Sequence, residues 1–190
     1  MARLILPDSV WRLLHDHFEG AGLKEQGGCL LVRSGRTATG VRLLAFRAVV
    51  PDDSAWERQG EDSLRPTGQW LSAVLGQAIE ESCGLLFVHS HPGSDHPPHL
   101  SSIDRTTSLA WARTLVPLLG NIFGSIVWSR GGLAGWIFDS STDMQPMELR
   151  RTDLLTAHRI TTVGSHTFAV TDAAIDDRQR RALGQLGNAR

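Results

Sequence analysis

The chain is expected to fold as an α/β domain in which helices flank a mixed sheet in layers. Three observations predict this class. Segments with helical apolar spacing alternate with strand-like runs along the chain. The run "GLLFVHS" is apolar almost throughout, as befits a central strand covered on both faces. Two pairs of apolar runs are joined by turn-prone residues, as in hairpins. Composition agrees, with 41% hydrophobic and 21% charged residues, which is ordinary for a globular protein.

Taken in order, "ARLILP" reads as a short strand, and Asp8 or Ser9 can cap a helix running to about Phe18. "GGCLLVRS" and "VRLLAFRAVV" form a hairpin around "SGRTATG". Residues 51–66 read as a polar loop, with Trp56 expected to fold back onto the core and a substrate-groove contact as the alternative. A helix from about Thr67 to Ser82 carries Trp70, Leu71, Val74, Leu75, Ala78 and Ile79 at helical spacing. After the central strand and a histidine-rich loop comes a helix from about Ser102 to Val116, and "NIFGSIVW" and "LAGWIFD" form a second hairpin. Residues 139–172 read as irregular structure with short strands.

Net charge is -1, so no global basic field points to nucleic acid or to an anionic membrane surface. No apolar run reaches bilayer-spanning length. Cys29 and Cys83 are too few for a disulfide framework and suit a reducing compartment, so the cytoplasm is the expected location.

The chemistry concentrates in "GLLFVHSHPGSDHPPHLSSID", residues 84–104. In a strand His89 and His91 project from one face with Cα atoms roughly 6.6 Å apart, so two imidazoles can meet one cation. His15 and His17 have the same spacing but fall on a helix, about 200° apart, and cannot share a metal there. Ser101 stands where a helix cap belongs and Asp104 one turn in, which is a capping box and also a place for a third ligand.

These residues resemble the JAMM or MPN-plus (JAB domain) zinc metalloprotease family: H-S-H-P followed by S-S-I-D, with Glu25 of "LKEQGGCLLV" as the upstream glutamate before a glycine-rich strand. The resemblance covers about residues 1–140 and implies the JAB/MPN-type mixed sheet, a cytidine-deaminase-like layered architecture. It further implies that His89, His91 and Asp104 hold Zn²⁺, that Glu25 shuttles the proton from the attacking water to the leaving amine, and that Ser101 helps stabilise the oxyanion. The implied partner is the C-terminal tail of a ubiquitin-like protein or its conjugates, cleaved in precursor processing or deconjugation. Bacterial members accompany ubiquitin-like or sulfur-carrier systems.

Nine residues separate His91 from Ser101, two more than the family usually has, so the loop is expected to bulge outward and Asp95, His96 and His99 are alternative ligands. For a metallo-β-lactamase-like H-x-H-x-D-H site, Asp95 and His96 lie two positions too late. A non-catalytic MPN module that recruits an adenylating partner and a small-molecule zinc hydrolase are the alternative functions. Residues 141–190 are expected to be a C-terminal extension, whose end "DDRQRRALGQLGNAR" is either an amphipathic helix or similar to the opening of an activating-enzyme-like adenylation domain.

Overall fold

The computed structural model describes residues 1–156 and the backbone of residues 159–163 and 172–174. The chain begins with strand β1 (Ala2–Pro7) and helix α1 (Asp8–Glu19), followed by the hairpin β2 (Gly27–Thr37) and β3 (Gly40–Val49). A small hairpin, β4 (Trp56–Gln59) and β5 (Leu64–Pro66), precedes helix α2 (Gly68–Glu80) and strand β6 (Gly84–Ser90). Helix α3 (Ser102–Leu119) leads to the hairpin β7 (Phe123–Ser129) and β8 (Gly132–Phe138), then to β9 (Met147–Leu155), β10 (Arg159–Val163) and β11 (Asp172–Ala174).

The helices begin and end for local reasons. Thr67 caps α2 by accepting the Trp70 N–H through its hydroxyl. Gly120 ends α3 in the left-handed region that favours glycine. At α1, however, neither Asp8 nor Ser9 is the cap: Pro7 occupies that place, and Asp8 sits in the first turn, where its carboxylate meets Arg12 and favourable N–H dipoles.

The sheet does not stay open. Its order is β1-β3-β2-β6-β7-β8-β9, and β1 pairs with β9 as well as with β3, so seven strands close into a barrel. The expected JAB/MPN-type, cytidine-deaminase-like layered sheet is corrected on this point. The physical reason is that β1 uses both edges at once, running parallel to β3 from Ala2↔Val41 to Ile5↔Leu44 and parallel to β9 as far as Pro7↔Leu155. A closed ring leaves no unpaired edge at either end of the sheet. β10 and β11 continue from the part of β9 that β8 leaves free.

Residues 139–172, read as irregular with short strands, instead hold β9, a nine-residue strand that completes the ring from beyond residue 140. The polar loop expected over residues 51–66 is instead a short helical turn, Asp53–Ala55, and the β4–β5 hairpin. The segment 175–190, read as an amphipathic or adenylation-type helix, lies outside the described residues.

Two apolar clusters sit on the two faces of the wall. One draws on all seven ring strands, with Leu4, Leu30, Leu43, Leu86, Ile126, Ile137 and Leu149, and takes in Val10, Leu14 and Phe18 of α1. The other places Leu31, Leu85, Phe123 and Phe138 against Val74 and Ala78 of α2 and Ala112, Leu115 and Val116 of α3. β6 lies between them and is buried at all seven positions, as expected of a central strand.

The β1–β9 seam carries a charged clasp. Asp153, with 0% of its surface exposed, accepts from Arg3 of β1 and from Arg151, the latter at 2.7 Å. Both arginines reach solvent in part, so their charge is eased by water while the carboxylate depends on them. Asp153→Asn is expected to lower the unfolding free energy by about 1.5–3 kcal/mol, the range for hydrogen bonds to charged groups, as read from urea midpoints at pH 7.

Candidate metal centre

Three segments meet where β6 leaves the barrel wall. β6 delivers His89 and, just past its end, His91, whose backbone N–H donates to Trp128 O on β7 at 2.8 Å. The first turn of α3 delivers Asp104, and the stretch before β2 delivers Glu25. His89, His91 and Asp104 each offer a ligand atom, and these atoms lie within 4.8 Å of one another. The group can hold a metal ion.

His89 carries the strongest sign of this. It is 6% exposed, and neither ring nitrogen has a hydrogen-bond partner among the described residues. Nε2 lies 3.2 Å from Asp104 Oδ1, close enough for an ionic contact but outside hydrogen-bond geometry. A buried, unmet polar group costs about 1–3 kcal/mol, and a cation between imidazole and carboxylate removes that cost. His91 Nε2 stands 3.7 Å from Asp104 Oδ2 and 3.8 Å from Glu25 Oε1.

Asp104 does two jobs with its two oxygens. Oδ2 accepts the Ser101 N–H at 2.8 Å while Ser101 Oγ accepts the Asp104 N–H at 3.1 Å, which is the full capping box. Oδ1 is left facing His89. Ser101 keeps its hydroxyl proton and lines the cavity beside the group.

The ionisation states suit a cation. For Asp104, burial pushes upward, but the adjacent His89 and the bonds from Ser101 win and hold the carboxyl well below its usual range. Burial, aided by His89, lowers the His91 pKa against the pull of Asp104, which keeps the ring neutral. Glu25 behaves oppositely. Burial, opposed by His89 and reinforced by Asp104 and Asp62, pushes it up to about 7.

The longer loop after His91 does not supply ligands. Asp95 faces Arg130 at 4.0 Å, and His96 and His99 are exposed and outside the group. The loop runs along the β7–β8 turn, where Ser129 Oγ donates to the His96 carbonyl at 2.8 Å. Gly131 permits this approach, since a Cβ there would lie 2.2 Å from that carbonyl oxygen. His17 takes part differently: its Nε2–H donates to Gly27 O at 3.1 Å, beside the Glu25 segment.

Reading the sequence missed Ser90, the residue between the two histidines. Its Oγ accepts the Gln26 N–H at 2.9 Å and its own N–H donates to Gln26 O at 2.8 Å. Ser90 thus ties the residue after Glu25 to the strand that carries the imidazoles. A serine in an apolar strand was a polar group needing a partner, and that was the available signal. The cavity over the group has a volume of about 780 Å³, and its lining includes the apolar Phe87, Trp111 and Ile103 and the charged Arg58, Arg65, Glu61 and Asp62.

Ser90→Ala leaves the Gln26 N–H unmet, and a loss of about 1–3 kcal/mol is expected in urea unfolding. A second expectation concerns pH. Burial, opposed by the Gly27 carbonyl and Asp53, lowers the His17 pKa from 6.5, so the unfolded chain binds a proton there before the folded one does. Its contribution to stability is complete above pH 6.5 and is lost as pH falls from there through the folded value. His17→Gln, which keeps a donor without titrating, should therefore lose less stability than wild type between pH 7.5 and about 5, as measured by urea midpoints.

No family model matches the chain, and no curated protein matches it. Among solved structures, it is similar to the solution structure of protein DSY2949 from Desulfitobacterium hafniense, at 12% identity and a TM-score of 0.48, over 80% of this chain and 92% of that one.

Proposed function

We propose that the protein is a zinc-dependent peptidase or isopeptidase, of the JAMM kind its motifs resemble, acting at the C-terminus of a ubiquitin-like protein. One observation carries the reading. A buried imidazole that makes no hydrogen bond, its Nε2 facing a carboxylate at 3.2 Å, stands beside a second imidazole, with a second acidic group 3.8 Å from that ring. Hydrogen bonding alone leaves that arrangement unsatisfied; a catalytic cation satisfies it.

His89, His91 and Asp104 would hold the ion, and three protein ligands leave a position for water, as catalytic zinc sites require. When bound, the metal supplies Lewis acidity that makes water a nucleophile near neutral pH. Glu25 would serve as the base that takes a proton from the attacking water and as the acid that gives one to the leaving amine. Burial, the main cause that raises the Glu25 pKa, makes its carboxylate a stronger base than an exposed glutamate. Ser101, whose Oγ accepts the Asp104 N–H and keeps its own proton, would offer that proton to the developing oxyanion. The cavity, about 780 Å³ in volume and lined in part by Phe87, Trp111 and Ile103, has room for the end of an extended tail.

The two free, buried cysteines agree with a reducing compartment, and we place the protein in the cytoplasm. Among the described residues no helix is long and apolar enough to cross a membrane.

The test is metal analysis together with cleavage. Purified protein should take up about one zinc per chain, and His89→Ala should abolish uptake. Metal-loaded protein should cleave a ubiquitin-like protein extended at its C-terminus, and Glu25→Gln should lower kcat by roughly 10²–10⁴-fold while retaining metal. Zinc uptake with full activity in Glu25→Gln removes the proton-shuttle role, and turnover of small amides with indifference to the protein substrate moves the assignment to a small-molecule hydrolase.

A further inference from the structure

Glu25 precedes β2, so its backbone has no ladder partner, yet both of its peptide groups are held. Its N–H donates to the Gly60 carbonyl at 2.8 Å. Its carbonyl accepts from Gln59 Nε2 at 3.1 Å. Both partners come from one place, the tip of the β4–β5 hairpin, while on the other side Ser90 holds Gln26.

The hairpin is well anchored for such a grip. The Gly60 N–H donates to Ser63 O at 2.8 Å across the tip, and the Thr67 N–H donates to Ala55 O at 2.7 Å at the base. Leu64 and Trp56 lie over Gly27 so closely that a Cβ at Gly27 would come within 2.7 Å of the leucine and 2.8 Å of the indole. Gly27 is the residue paired with His89 in the sheet, so the hairpin takes its position from the strand that bears the imidazoles. Neighbouring side chains divide the work. Arg58 lines the cavity, and Gln59 turns to Glu25.

We propose that Gln59 is a positioning residue, which fixes the Glu25 backbone so that its carboxylate stays in register with His91. This rests on the hydrolase reading, in which Glu25 moves the proton. Gln59 belongs neither to the ligand group nor to the residues that line the cavity, and it reaches the site through the Glu25 backbone. Its loss therefore acts on the step Glu25 serves and leaves both metal and substrate contacts intact.

The experiment compares wild type with Gln59→Ala and with Gln59→Met, which keeps the side-chain length but has no donor. On the C-terminally extended ubiquitin-like protein, both zinc-loaded variants should lose roughly 10–100-fold in kcat, with KM within about twofold of wild type and zinc affinity unchanged. Deuterium exchange at the Glu25 amide should quicken in both, while amides within β2 stay protected. Unchanged kcat, a loss carried by KM, or wild-type activity in Gln59→Met overturns the proposal. If zinc-loaded wild type cleaves nothing, the hydrolase reading has failed, and the exchange measurement still decides the grip: an unaltered rate at Glu25 sinks it.

Discussion

β6 has a neighbour on each edge, β2 antiparallel and β7 parallel, and an apolar cluster on each face. A strand so enclosed is buried at every position, with little access to water even at its end. Whatever polar group it carries to its end must be satisfied by protein or by a ligand there. His89 is that group. Its burial follows from the packing of the wall, and its two unpartnered nitrogens follow from the absence of any donor or acceptor in line with them among the described residues. The rest of the site is arranged around this demand.

Three attachments hold the neighbouring segments to the strand end. Ser90 exchanges two backbone-directed bonds with Gln26, the His91 N–H donates to Trp128, and the capping box sets Asp104 one turn into α3. Each joins a different element to β6 or to the loop that follows it. Barrel closure supports them indirectly. With β1 clasped to β9 through Asp153, the wall has no loose edge to let β2 or β7 drift, so the hydrogen bonds at the strand end keep their partners.

The site was more legible than the fold. His-x-His on a strand and an S-x-x-D at a helix start are short-range patterns, and their geometry is set within a few residues by the period of a strand and the first turn of a helix. Closure is a long-range event, the meeting of residues near 5 with residues near 153. β9 reads "MELRRTDLL", where Arg151 follows Arg150 and breaks the alternation that marks a half-buried strand, and Arg151 and Asp153 find their use in the clasp with Arg3. The β4–β5 hairpin was hidden similarly. A polar stretch with one tryptophan becomes ordered because Trp56 meets Trp70 at 5.9 Å and covers Gly27, contacts that no local pattern encodes. Ser90 was obscured by its neighbours, since an apolar strand ending in histidines draws notice away from the residue between them.

Two carboxylates approach the same pair of imidazoles, and their surroundings drive them apart. Asp104 is buried but receives the Ser101 N–H and lies against His89, and the balance keeps it ionised. Glu25 is buried with its backbone, not its carboxylate, in hydrogen bonds, and it feels Asp104 and Asp62 as like charges. A carboxylate whose surroundings favour its charge is suited to holding a cation; one whose burial disfavours its charge is suited to accepting a proton. The division of labour on the proposed reading is thus set by which atoms of each residue are already bonded. The helix cap fixes Asp104 through its side chain, and the hairpin fixes Glu25 through its main chain, which leaves the acidic group of Glu25 free to act.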